Sequence, residues 1–329
     1  MLRRELMAGV LGVAGAALLG LPRADAQPPS AQPSTVDGLR RLVTRAQADY
    51  QACRYAELAR TLPQVIQYAQ ATAAAVDADQ RCQVDALVAS AYKHATWLAL
   101  RLGEDGLATG LSDHSISASR ASGDLLVEAE AAQMGAVVLR RFDRTDHAQD
   151  LVVNTASKIE EAVGLSKPAS AAAYAMLLET GAYTAATAGD RSAALDLHAE
   201  AISAARPARL AMVTARTSTA ADARFLRLYE ISVHRKLGDY GTAIGAATAI
   251  RPEQITVTER RVRYWEDVAL AYGSWGKREQ AFHALLEAER AAPQEVRLRP
   301  WAHTLTRQLR SSGPALPGLR EFVARAGIA

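Results

Sequence analysis

The 32 residues from Val262 to Pro293 place the tightest constraint on the fold. In order, Trp265, Val268, Ala269 and Tyr272 read large, hydrophobic, small and aromatic. After Gly276, Ala281, Leu285, Ala288 and Pro293 read small, large, small and proline. Two helices crossing closely require this alternation, because large side chains of the first must enter gaps left by small residues of the second. Gly276 supplies the turn between them, and proline ends the second helix because it has no N–H to continue the ladder. Elsewhere alanine dominates, and Ala, Leu, Arg and Glu are all good helix formers. Val and Ile rarely alternate with polar residues, so no sheet is expected.

Weaker copies of the unit recur upstream. Leu237-Gly238-Asp239-Tyr240 is followed by Ala243, and Ala188-Gly189-Asp190 by Ala194 and Ala201. Tyr92, Ala95 and Ala108 flank Leu102-Gly103. A degenerate unit centres on Arg141–Asp143 with Ala148, and the first on Cys53-Arg54-Tyr55 after Tyr50. The whole resembles the tetratricopeptide (TPR) pattern. The expected fold is all-α: a TPR-like α-solenoid of about six helical hairpins with a C-terminal helical cap, over residues 35–329. The tail reads as a helix to about Ser311, a Gly-Pro break, and a short helix from about Pro317. Trp301, Leu305, Leu309, Leu319 and Phe322 suit a cap that covers the last repeat's apolar face, rather than a DNA-reading element.

Charge and motifs exclude several functions. Net charge is +3, of which the first 34 residues carry +1 and residues 295–329 carry +4, leaving the body at −2 (3 − 1 − 4). A nucleic-acid binder concentrates basic charge on its working domain, so no direct nucleic-acid binding by this chain is expected. Cys53 and Cys82 are the only cysteines and fit no zinc spacing. They are expected near opposite ends of parallel helices, on the order of 20–30 Å apart. A disulfide needs Cα atoms within about 7 Å, so two free thiols are expected. No phosphate-loop, dinucleotide, nucleophile-elbow or zinc-protease motif is present, and no two of the seven histidines are four apart. Asp143, Asp146 and His147 read as a solvated turn and Glu160-Glu161 as an exposed helix face. An enzyme is not expected, nor a metal or cofactor.

A binding groove is the better expectation. In arrays of this kind the first helix of each hairpin lines a concave face. The repeat register places Lys93 and Trp97 there from the second unit, and Glu130, Gln133 and Arg140 from the third. It adds Glu179 and Tyr183 from the fourth, Phe225 and Arg235 from the fifth, and Arg263 and Glu266 from the sixth. Rings beside charges suit an extended peptide, the rings burying apolar side chains and the charges fixing ends and register. The bland alternative is a mixed, merely exposed helix face. Asparagine-based clamping of a chaperone tail is not expected, because the lone Asn154 falls on a second helix.

Residues 1–34 stand apart. Arg3-Arg4 precede a run of 16 apolar or glycine residues, Leu6 to Leu21, then Ala24-Asp25-Ala26 and a Pro/Gln/Ser stretch. These are the parts of a secretory signal of twin-arginine type, with cleavage after Ala26. The run is short of the roughly 20 residues of a spanning helix. A second reading comes from Leu39-Arg40-Arg41-Leu42-Val43, the Tyr50…Arg54-Tyr55-Ala56-Glu57 unit, Glu259-Arg260-Arg261 through Trp265, and Leu285 through Arg297. These resemble the C-terminal TPR part of Xre-type helix-turn-helix transcriptional regulators, over roughly residues 36–329, with residues 3–26 resembling the linker to their DNA-binding domain. The resemblance implies cytoplasmic location, a possible homodimer and sensing of a peptide, protein or small ligand. DNA binding is not carried over, because the sequence begins at that linker: the expectation is either a start that lies further upstream or a stand-alone sensor half. Either way the expected role is a sensor or scaffold that binds a peptide or protein partner: cytoplasmic on one reading, an exported adaptor meeting the membrane through its signal on the other.

Overall fold

The computed structural model describes residues 34–205 and 223–328. Among these residues there are fifteen α-helices and no strand. Twelve form six hairpins: α1 (Val36–Gln51) with α2 (Tyr55–Ala75), α3 (Ala78–Leu102) with α4 (Asp105–Ser122), and α5 (Leu125–Arg141) with α6 (Thr145–Val163). Next come α7 (Pro168–Ala188) with α8 (Arg191–Ala204), α9 (Ala223–Lys236) with α10 (Tyr240–Thr248), and α11 (Thr258–Ser274) with α12 (Arg278–Ala291). Three short helices follow: α13 (Pro293–Leu298), α14 (Pro300–Ser311) and α15 (Leu319–Ala326).

All six hairpin turns use one device. The residue that breaks the first helix is left-handed: Cys53, Gly103, Asp143, Gly189, Gly238 and Gly276 all have positive φ. At each, the amide of the next residue bonds back five residues, as in Glu104 N to Ala99 O (2.9 Å) and Lys277 N to Tyr272 O (2.9 Å). This is the Schellman closure, which satisfies carbonyls left over at a helix end. Glycine adopts that conformation without a Cβ penalty; Cys53 and Asp143 (φ 56° each) carry one.

Small residues set the spacing within hairpins. Ala95, Ala108, Ala148, Ala194, Ala201, Ala243, Ala269, Ala281 and Ala288 are all buried. The cap also stands as the sequence indicates. Leu305, Leu309, Leu319 and Phe322 are buried, and Phe322 meets Phe282 of α12 edge-on at 5.8 Å. Pro293 does more than end α12. It also opens α13, where proline suits the first turn because its missing N–H is unneeded there.

The first helix of each hairpin packs on the next such helix, forming an inner row α1, α3, α5, α7, α9, α11. The sequence does not announce that the two ends of this row meet. α11 touches α1 and α13 touches α3. Gln294 of α13 accepts a hydrogen bond from Ala56 N (3.0 Å), 238 residues away in sequence. Arg101 at the end of α3 pairs with Glu259 on α11, and with Glu295 on α13 at 3.5 Å. All three side chains are buried. The seam joining the first and last units is therefore ionic, and the inner row surrounds a central space.

Candidate functional site

All six inner helices contribute to one cavity of about 140 Å³ in that space. Helical stripes with three- and four-residue spacing aim the side chains inward. α3 supplies Lys93, His94, Trp97 and Arg101, and α5 supplies Glu130, Gln133, Val137 and Arg140. From α7 come Thr180 and Tyr183, and from α9 Leu228, Tyr229 and Ser232. α1 closes one side with Gln47, Tyr50 and Gln51. Glu259, Arg260 and Arg263 of α11, with Val257 before it, close the other.

The wall is aromatic and cationic. Tyr50 lies 6.3 Å from Trp97 and the same distance from His94, ring centre to ring centre. The Arg101 guanidinium stands 5.6 Å from the Tyr50 ring and donates to the Tyr50 hydroxyl (2.8 Å). Across the cavity Arg140 lies 4.9 Å from the Tyr183 ring, with Lys236 at 5.5 Å and Arg263 at 6.0 Å from the same ring. Burial raises the Tyr183 phenol's pKa, but Arg235, Arg263 and Lys236 outweigh it and bring the phenol below its ordinary value.

Most cations have carboxylate partners. Lys93 pairs with Glu130, and Arg260 with Glu259 at 3.5 Å. Arg263 and Arg235 share Asp267, at 3.4 and 2.9 Å. Arg299 spans Glu266 (2.7 Å) and Glu295 (3.2 Å). Burial would push the Glu266 carboxyl up, yet Arg299 and Arg263 hold it down at about 2. Glu259 is likewise depressed, Arg260 and Arg101 overcoming its burial. Arg140 differs. Its hydrogen bond goes to the neutral Thr184 hydroxyl (2.9 Å), and burial brings it down to about 10, so it remains a cation at neutral pH. His94 differs too. It is 2% exposed, and neither ring nitrogen has a hydrogen-bond partner among the described residues. Burial, with Lys93 beside it, holds its pKa well below the imidazole range, so the ring is neutral.

Seven of the residues expected in the groove meet at this cavity: Lys93, Trp97, Glu130, Gln133, Arg140, Tyr183 and Arg263. Three do not. Glu179 is fully buried between α7 and α8, where His198 Nδ1 lies 2.9 Å from both its oxygens. α7 is buried on nearly every side and presents Thr180 and Tyr183 inward, one residue out of the expected register. Arg235 and Glu266 stand behind the wall in the ion pairs just described. The side chain of Phe225 lies outside the described residues. The register missed His94, Arg101 and Arg260. Arg101 continues the Lys93–Trp97 stripe by one more turn, and Arg260 precedes Arg263 by three, so the periodicity held both signals.

A cavity of this size holds one ring or a chain end, comparable with an engineered cavity of about 150 Å³ that takes benzene. Comparison with protein-family models, curated proteins and solved structures gives no match. Among the described residues no three His, Cys, Asp or Glu side chains are grouped to hold a metal ion. No helix among them is long and apolar enough to cross a membrane.

Proposed function

We propose that this chain is a sensor or scaffold of helical-repeat type whose working part is the central cavity, and that it takes up the end of a peptide or protein segment, or a small ligand of similar size. One observation carries the reading. Six inner helices, drawn from the whole length of the chain, aim rings and cations at a single cavity. A fold needing only stability has no reason to gather five cations and four aromatic rings at its centre, because buried charge is costly. The TPR-like repeats and the resemblance to the sensing half of Xre-type regulators support the same role, with the ligand favouring one arrangement of the inner row over another.

The test is native mass spectrometry of the chain purified from its own cells. A stoichiometric non-covalent adduct is expected in the wild type and absent from a Trp97→Ala, Tyr183→Ala double variant of unchanged helicity. No adduct in the wild type, together with no thermal shift against a library of short peptides and small organic acids, refutes the reading. The exported-adaptor reading rests on Arg3-Arg4, the apolar run and Ala24-Asp25-Ala26, which lie outside the described residues. N-terminal sequencing of the same sample separates the two: a start at Gln27 means export, and an intact apolar segment means the cytoplasmic sensor.

A further inference from the structure

We infer that the central cavity binds a carboxylate carried on an aromatic or apolar body, with the carboxylate at Arg140 and the body among Tyr50, Trp97 and Tyr183. The inference rests on the cavity being the working site, and adds the chemistry of what fills it.

Charge balance is the first ground. Among the described residues, five cations and two carboxylates line the cavity: Lys93, Arg101, Arg140, Arg260 and Arg263 against Glu130 and Glu259. Behind the wall Glu266, Asp267 and Glu295 face Arg235, Arg299 and Lys236, three against three. The excess is +3 (5 − 2 + 3 − 3). Unlike the seam cations, Arg140 pairs with no carboxylate among the described residues: it bonds to the Thr184 hydroxyl, lies against the Tyr183 ring, and has Arg263 and Arg141 as charged neighbours. A planar guanidinium held against a ring presents a fork of donors matched to a carboxylate.

The second ground is independent. His94 is a buried neutral imidazole on the cavity wall with both nitrogens unpaired. Such a group is normally satisfied, and an orphan in a cavity marks a missing partner. It can donate to a ligand oxygen from one nitrogen and accept from an N–H or O–H with the other, on the side of the cavity where Tyr50 and Trp97 hold the body. The amides of Gln47, Gln51 and Gln133 add polar contacts on the same wall. A cavity volume of about 140 Å³ corresponds to a buried part of roughly ten non-hydrogen atoms.

Two sources share this chemistry: a free small organic acid, and the C-terminus of a peptide with an apolar last residue. Isothermal titration calorimetry on the full chain distinguishes them. The probes are phenylacetate, 3-phenylpropanoate, octanoate, and N-acetyl-Ala-Ala-Phe and N-acetyl-Ala-Ala-Leu, each as free acid and carboxamide. At least one acid should bind, with its amide weaker by roughly tenfold or more, the loss expected for a charge-assisted hydrogen bond. Binding by the small acids alone assigns a metabolite; binding by the peptides assigns a chain end. Arg140→Gln should weaken the acid about ten- to hundredfold and leave the amide nearly unchanged. It should also raise the melting temperature of the ligand-free chain, because it removes a poorly compensated buried cation; a purely structural arginine would lower it. His94→Phe should weaken the acid without loss of helicity. Acid and amide binding alike would overturn the anion assignment while leaving the cavity as a binding site. No binding by any acid, with an adduct still present in the native protein, would also overturn it and point to a different ligand class.

Discussion

Replacing Arg101 by methionine tests how the ring of inner helices is held shut. The Arg101 side chain is 7% exposed and joins three groups from distant parts of the chain: Glu259 on α11, Glu295 on α13 and the Tyr50 hydroxyl on α1. Methionine keeps the apolar stem and removes the charge. Glu259 is then left with Arg260 at 3.5 Å and Glu295 with Arg299 at 3.2 Å, so neither carboxylate is wholly abandoned. Breaking a buried pair from one side costs about 3–5 kcal/mol, and the surviving partners place the loss at the lower end, about 3 kcal/mol. That is a large share of the roughly 5–15 kcal/mol that holds a domain folded. Urea denaturation followed by circular dichroism reads it directly. Arg40→Met is the control: Arg40 and its partner Asp37 are both exposed in the first turns of α1, so it should cost under about 1 kcal/mol. A double-mutant cycle of Arg101→Met with Glu259→Gln should show coupling of about 1 kcal/mol or more. Small-angle scattering should show the variant expanded, because the first and last units separate. A loss under about 1 kcal/mol with no expansion would refute the reasoning and assign the seam to apolar packing.

Three further outcomes follow. Burial pushes the Glu179 carboxyl up to about 7 despite His198, and the contact with Glu179 raises His198 in spite of its burial. Both shifts are upward, so the stability they carry is present in full at acid pH and is lost as pH rises through about 7; Glu179→Gln should flatten the fall in urea midpoint between pH 5.5 and pH 8.5, and an unchanged slope would refute it. Ala281→Leu forces three extra side-chain carbons against α11 at a fully buried crossing, and should cost about 1–3 kcal/mol of unfolding free energy, measured by denaturation. Gly103→Ala and Asp143→Gly sit at equivalent left-handed turn positions, so the first should lose and the second gain about 1 kcal/mol by the same measurement.

The sequence made the hairpins legible for a local reason. Each turn needs a left-handed residue after a helix, and that requirement shows as Gly103, Gly189, Gly238 and Gly276 between the helical stretches. Cys53 and Asp143 were legible only through the repeat spacing, since neither residue type announces a left-handed turn. The alanines at the crossings are equally local signals. Closure of the inner row is not local. It depends on a small rotation between hairpins summed over six of them, and no single unit records that angle. For the same reason Arg263 and Glu266 read as groove residues, and nothing in the charges from Glu259 to Asp267 shows a network. Only the arrival of Arg101 and Arg299 from other hairpins turns them into a buried network. Glu179 went astray through a different cause: α7 has no exposed face to fix its register, so one residue's rotation exchanges groove for core.

Seam and cavity share residues, and this couples them. Arg101 holds the seam shut and also stacks with Tyr50 and Trp97 on the cavity wall. Glu259 pairs with Arg101 across the seam and with Arg260 on the wall. Opening the first unit away from the last therefore dismantles part of the proposed binding surface. A ligand that bridges α3, α5 and α11 binds only the shut form and stabilises it by RT ln(1 + [L]/Kd), roughly 2.7 kcal/mol at a hundredfold excess over Kd. That is close to the cost expected for losing Arg101. Ligand and seam thus bias the same equilibrium with comparable force, which is the condition for a binding event at the centre to set the arrangement of the first and last hairpins, and so to be sensed at the outer surface.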